Sequence, residues 1–211
     1  MPDNIDNNLK EFYNKNLDSH GPGAQGVGWK NDEAQLIRFE QLSTLLPKNN
    51  FSINDLGCGV GDLAFYFDNK GFTNYSYIGY DVMEKMLNLA KEKHILQANR
   101  KFILIKDAGE IENADFTLAS GIFNLRYSNT NEQWLSYIIH TLQQMNEKST
   151  KGFAFNALTK YSDKDKMQDY LYYSDPMYLF DYCKRHFSRN VALLHDYNLY
   201  DFTILVRKVL D

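Results

Sequence analysis

One short segment, Asp55-Leu56-Gly57-Cys58-Gly59-Val60-Gly61, limits the folds open to this chain more than any other. It follows an apolar run at 51–55. It precedes residues 62–70, where Leu63, Ala64 and Phe67 recur at helical spacing. A strand that turns through closely spaced glycines into a helix brings backbone near a ligand. It also presents the free N–H groups of a helix N-terminus. The dinucleotide fingerprint G-x-G-x-x-G is met at Gly57 and Gly59, but its third glycine is replaced by Asp62. A carboxylate there repels a pyrophosphate and tolerates a sulfonium or ammonium group, and Asp55 adds a second negative charge.

From that segment onward, strand-like and helix-like runs alternate. Strands are expected at 51–55, 75–80, 102–105, 116–120 and 153–158, and helices at 62–70, 83–96, 132–146 and 177–187. Runs at 191–194 and 202–206 flank a polar turn around Asp196 and Asn198, which suggests a terminal antiparallel pair. This order predicts an α/β fold: a doubly wound, seven-stranded, mostly parallel sheet with helices on both faces. The 211 residues suit one domain. Residues 1–48 read as an N-terminal helical cap: a helix to Leu17, a glycine-rich loop at 20–29 and a helix at 32–46. Residues 51–211 form the core, with a polar, tyrosine-rich, lid-like insertion at 159–175.

Two further acids fall into register with the glycine segment. Asp81 follows the second strand, where an acid hydrogen-bonds ribose hydroxyls in doubly wound folds, and Asp107 ends the third. Both join the glycines on one edge of the sheet, the edge where open α/β folds bind ligands.

With Gly79-Tyr80-Asp81 and Lys106-Asp107-Ala108 in that order, residues 51–206 resemble the class I S-adenosylmethionine-dependent methyltransferases, which have a Rossmann-like sheet. Gly26-Val27-Gly28-Trp29, Gln35, Arg38-Phe39 and Ala119-Ser120-Gly121-Ile122-Phe123-Asn124 look like a subgroup of small, mostly uncharacterised bacterial members. The resemblance implies S-adenosylmethionine as cofactor and S-adenosylhomocysteine as product. It implies that Gly57, Gly59 and Gly61 contact the methionine part, and that Asp55 bonds its amino group. Asp81 would hold the ribose, Val82 and Met83 would pack on the adenine, and Asp107 and the Ala108 amide would read its edge. Ser120 and Gly121 would floor the site beside the methyl group. Trp29 is expected as a cofactor wall or a helix staple. Arg38 either holds a carboxylate or pairs with an acid on its own helix.

The acceptor is expected to be a small polar metabolite, such as a sugar or sugar-derived hydroxyl, amine or carboxylate. The net charge is −4 and the cations are scattered, which disfavours nucleic acid. The Asn/Asp-Pro-Pro-Tyr/Phe motif of base-amine methyltransferases is also missing after the fourth strand. Cys58 and Cys183 have no CxxC spacing, and the five histidines show no zinc-ligand spacing. A reducing, cytoplasmic location without metal follows. No apolar run approaches the ~18–20 residues of a membrane span, and the polar N-terminus is no signal peptide. A monomer or homodimer is expected.

Methyl transfer is an in-line displacement that depends on proximity and orientation, with a general base if the acceptor is a hydroxyl. His195, after the sixth strand, and His20, at the start of the glycine-rich loop, are the candidate bases, and Asn124 is a further catalytic candidate. Either histidine could equally be a hydrogen-bonded structural residue. His94, His140 and His186 fall in helices and read as surface or packing residues. Tyr13, Asn124, Arg126, Tyr127 and Tyr161 are candidate acceptor contacts. An NAD-dependent oxidoreductase, or a cofactor-binding module without turnover, are the competing readings.

Overall fold

A computed structural model describes residues 3–23, 26 and 31–209, with side chains from residue 11. In chain order its elements are α1 (Asp3–His20), α2 (Asp32–Ser43), β1 (Asn49–Leu56), α3 (Asp62–Asn69), β2 (Thr73–Asp81), α4 (Glu84–Lys93) and β3 (Arg100–Leu104). They continue with β4 (Ala114–Ala119), α5 (Asn131–Lys148), β5 (Ser149–Leu158), α6 (Pro176–His186), β6 (Asn190–Leu194) and β7 (Asp201–Arg207).

The seven strands lie in the order β3-β2-β1-β4-β5-β7-β6. β3, β2, β1, β4 and β5 run parallel to their neighbours, and β7 pairs antiparallel with both β5 and β6. The expected sheet is present, terminal pair included. The order reverses between β1 and β4, which opens a crevice at their carboxyl ends. Register brings those ends level: Leu56 stands beside Tyr80 on one side and Ala119 on the other.

Local chemistry sets the helix limits. Asn31 caps α2 by accepting from the Ala34 amide at 2.9 Å. α4 starts at Glu84 rather than 83 because Met83 is extended and gives its N–H to Asp81 Oδ1 at 2.9 Å. α1 continues past Leu17 to His20, and α2 stops at Ser43.

Both sheet faces are covered. Trp134, Ile138 and Leu142 of α5, with Leu179 and Cys183 of α6, pack on Phe153, Phe155, Phe202 and Ile204. Phe39 and Leu42 of α2, with Leu63, Phe67, Leu87 and Ala90, pack on Phe51, Ile53, Tyr75 and Tyr77. Each large side chain buried this way contributes about 1.5–3 kcal/mol. α1 covers the glycine segment, with Leu17 against Val60, Met83 and Met86. The 159–175 segment is pinned by bridges between Thr159 and Ser174 and between Leu125 and Leu171. Among the described residues, no helix is long and apolar enough to cross a membrane.

Candidate functional site

The glycine segment is built by close approach. The Gly57 and Cys58 amides both donate to the Tyr80 carbonyl, at 2.7 and 3.0 Å, locking the end of β1 to β2. Gly57 has φ +76°, and a Cβ there would lie 2.3 Å from Ile122 Cγ2. Gly61 has φ +81°, and a Cβ there would lie 2.7 Å from His94 Nε2. Only glycine satisfies both the backbone angle and the space.

Asp81 organises the mouth of the crevice. Its Oδ2 accepts from the Gly59 amide and its Oδ1 from the Met83 amide, both at 2.9 Å. Burial raises its pKa, while the amides of Gly59, Met83 and Val82 oppose that rise. Asp55 lies beneath the glycines, 3% exposed, and accepts from the Tyr77 hydroxyl at 2.6 Å. Burial lifts it to about 7; the Tyr77 bond opposes this, and the charges of Asp81 and Asp62 add to it. Asp107 caps the short turn Ala108–Glu110 through the Gly109 amide at 2.9 Å. Burial pushes Asp107 up, but that amide and His140, 3.4 Å away, hold it below the usual range.

A cavity of about 340 Å³ fills the crevice. It brings together the expected Arg38, Asp55, Gly57, Gly59, Asp81, Val82, Met83, Asp107, Ala108, Ser120 and Gly121, along with Tyr13 and Asn124. Gly61, at the start of α3, is not among the residues that line it. Trp29 lies outside the described residues. Ser120 and Gly121 are fixed by fully buried Asn156, whose Oδ1 accepts from the Gly121 amide at 2.7 Å and whose Nδ2 donates to Ser120 Oγ at 3.2 Å. Asn124 accepts from the Leu158 amide at 3.0 Å, tying the end of β5 to the cavity wall.

Besides Gly61, five expected residues fall outside the cavity. His195 is exposed beside the rings of Tyr161 and Phe202, at 6.1 and 6.0 Å. β6 is the outermost strand, four strand spacings from β1, which is about 19 Å. His20 ends α1 exposed to solvent. Tyr161 is 60% exposed under Lys160. The Arg126 guanidinium donates to the carbonyls of Leu171, Tyr127, Asn129 and Asp169, so it braces the 159–175 segment. Tyr127, at φ +50°, packs against Phe12 with its hydroxyl buried. Arg38 does line the cavity, but its partner is Asp201 of β7 rather than an acid of α2; both side chains are buried. Arg38 also donates to the Ala34 carbonyl at 2.7 Å.

Asp62, expected to face a ligand, also lines the cavity, whereas several other wall residues were not expected as a site. Phe12 of α1, Trp134 and Tyr137 of α5, and Tyr170 and Leu171 of the 159–175 segment face the cavity. Burial lifts Tyr137 to about 12, with Asp107 and Asp81 adding to the rise and Thr141 opposing it. Burial also raises Tyr13, again with a contribution from Asp81.

His94, expected as surface or packing, lies behind the glycine segment. Its Nδ1 is 2.6 Å from Arg100 Nη1, and its Nε2 is 3.1 Å from the Gly61 carbonyl. A guanidinium only donates, so Nδ1 accepts and Nε2 carries the proton given to Gly61. The ring is stacked on Phe65 at 4.1 Å and tilted against Phe102 at 5.1 Å.

Residues 53–145 match a family model described as a methyltransferase domain. A Mycobacterium tuberculosis (strain H37Rv) protein, Rv1506c, which carries a provisional methyltransferase name, is 52% identical over 159 residues. The match covers 75% of this chain and 93% of that protein. Among solved structures, magnesium protoporphyrin IX methyltransferase of Synechocystis PCC 6803, with bound S-adenosylmethionine, superposes with a TM-score of 0.67 at 14% identity, covering 97% of each chain. The PH0226 protein of Pyrococcus horikoshii OT3 gives a TM-score of 0.63 at 14% identity, covering 94% of this chain and 98% of its own.

Proposed function

This chain belongs to the S-adenosylmethionine-dependent methyltransferase family, and on that premise we propose that its crevice holds the cofactor beside a small acceptor and moves a methyl group between them. The observation that carries the reading is Asp81, clamped by the Gly59 and Met83 amides at the edge of a cavity lined by Asp55, Asp62 and Asp107. Such a lining fits a cofactor that bears a sulfonium, an ammonium and a ribose diol. When bound, S-adenosylmethionine supplies a methyl group on positively charged sulfur, open to in-line displacement.

The protein's own work is binding and alignment. Asp81 keeps lone pairs beyond its two amide bonds for the ribose hydroxyls. Asp55 and the glycine backbone suit the amino-acid end. Val82 and Met83 suit one adenine face, with Asp107 and the Ala108 amide at its edge. Asn156 holds Ser120 and Gly121 as a floor. Phe12, Tyr13, Tyr137, Tyr170 and Leu171 complete the acceptor side, and ring faces there suit a sugar or an aromatic body. Enclosing the pair excludes water and sets the approach angle, the main contribution protein makes to such a displacement. Asp62, on the cavity wall at the start of α3, disfavours a dinucleotide pyrophosphate there. The cavity's size and acidity support a small molecule over nucleic acid, and two buried free thiols suit a reducing cytoplasm.

Calorimetric titration with S-adenosylhomocysteine tests this reading: wild type binds, and NAD does not compete. Absence of binding, or competition by NAD, contradicts it.

A further inference from the structure

One polar side chain on the cavity wall is held by its oxygen and leaves its nitrogen unused. Asn124 lies on the loop that follows β4, is 8% exposed and lines the cavity. Its Oδ1 accepts from the Leu158 amide at 3.0 Å. A backbone N–H only donates, so this bond settles which end of the side chain is oxygen and which is nitrogen. The backbone beside it is fastened as well. The Asn124 carbonyl accepts from the Tyr172 amide at 2.8 Å, and the Phe123 carbonyl accepts from Trp134 Nε1 at 2.8 Å. β5, α5 and the 159–175 segment thus all hold this loop.

The Nδ2 group of Asn124, a double donor, bonds to nothing among the described residues. Unlike the unpartnered Tyr127 hydroxyl, it is not sealed away from open space, and the space Asn124 meets is the cavity. Ser120, earlier on the same loop, repeats the arrangement. Its Oγ accepts from Asn156 Nδ2 at 3.2 Å, which leaves its own proton to give. β5 therefore leaves two neutral donors of one loop on the cavity wall.

On the methyltransferase reading above, we infer that Asn124 is a specificity-determining contact. Its Nδ2–H donates to a lone pair of the acceptor molecule: a carbonyl or hydroxyl oxygen, or a ring nitrogen. A nearly buried donor loses its water when the acceptor enters, and it stays unsatisfied unless such an atom meets it. A wall of this kind rejects a molecule of the same shape without the lone pair far more strongly than an apolar wall does. The side chain is locked before anything binds, so little freedom is left to lose on binding.

Two substitutions in the full chain separate this role from a structural one. Asn124→Asp keeps an oxygen for the Leu158 amide but exchanges the donor for an acceptor and adds charge. Asn124→Leu keeps the size and removes both donor and tie without adding charge. Each protein receives S-adenosylmethionine with a ³H-methyl group and graded amounts of one bacterial metabolite extract. The readout is the amount of extract that gives half-maximal label transfer, with calorimetry on S-adenosylhomocysteine alongside. Both variants are expected to need about 10–100-fold more extract than wild type, while S-adenosylhomocysteine affinity stays within about twofold. Asn124→Asp should also keep the wild-type urea midpoint. A wild-type requirement in Asn124→Asp reduces Asn124 to a tie on β5, and one in Asn124→Leu assigns the Asn124→Asp effect to charge; either overturns the inference. So does a matching loss of S-adenosylhomocysteine affinity, which assigns the donor to the cofactor. Should Asn124→Leu not fold, Asn124→Asp decides alone. If wild type binds S-adenosylhomocysteine but labels nothing, the inference falls while the cofactor site stands. If S-adenosylhomocysteine itself does not bind, the methyltransferase reading falls first.

Discussion

The imidazole of His94 donates to the carbonyl of Gly61 across 3.1 Å while accepting from Arg100, so one buried ring joins the glycine segment to β3. Arg100 continues the chain to Asp68 and the Tyr75 hydroxyl. Removing the ring leaves the Gly61 carbonyl and a buried guanidinium short of partners. His94→Ala should cost about 2–4 kcal/mol in urea unfolding and weaken S-adenosylhomocysteine binding as well. His94→Gln, which can both donate and accept, should recover part of each. Burial and the Arg100 charge push His94 down from 6.5 to about 4. The unfolded chain therefore takes up this proton first as pH falls. Its contribution is full above about pH 6.5 and is lost between 6.5 and 4, a slope that His94→Gln removes.

Asp55 works in the opposite direction. Its carboxyl is raised from 3.8 to about 7 by burial, so the folded protein holds the proton longer than the unfolded chain. Stability from this group is present below about pH 3.8 and declines as pH rises toward 7. Asp55→Asn should flatten that decline and raise the melting temperature of the cofactor-free protein at pH 7 and above. Thermal melts from pH 4 to 8 separate this slope from that of His94.

Arg38 and Asp201 form a buried ion pair that joins α2 to β7. Removing one partner strands the other. Arg38→Met alone should destabilise by about 3–5 kcal/mol, and Arg38→Met with Asp201→Leu should recover most of it. Denaturant midpoints of the single and double variants decide the point.

His195 and His20 lie outside the cavity, so His195→Ala and His20→Ala should leave turnover within about twofold, whereas loss of a true base costs about 10²–10⁴-fold. Single-turnover rates on an acceptor found by extract screening check this.

The sheet and the strand-end lining of the cavity were legible because their signals are local. Asp55, the glycines, Asp81 and Asp107 each sit where a strand ends, and strand ends on one edge of a parallel sheet converge. The opposite wall is not local. Phe12, Tyr137 and Tyr170 come from three distant segments, and only packing brings them together. Tyr137 follows Trp134 by less than one helical turn, and helical spacing alone does not say which of the two meets a cavity. Trp134 is indeed buried, and its Nε1 donates to the Phe123 carbonyl at 2.8 Å. His195 was misplaced because a strand's place in sequence does not give its lateral place. β7 inserts between β5 and β6, and this carries His195 to the far edge. Arg38 lines the cavity, but its partner Asp201 lies on the last strand and leaves no trace in local spacing.

If Asp81 holds the cofactor at the β1–β4 crevice, as proposed, calorimetry of Asp81→Asn against wild type with S-adenosylhomocysteine will show it. Asn retains the side chain's shape but loses the charge and one acceptor, so affinity should fall about 10–100-fold while the folded state persists by circular dichroism. Equal affinity in the two folded proteins would remove Asp81 from the cofactor site.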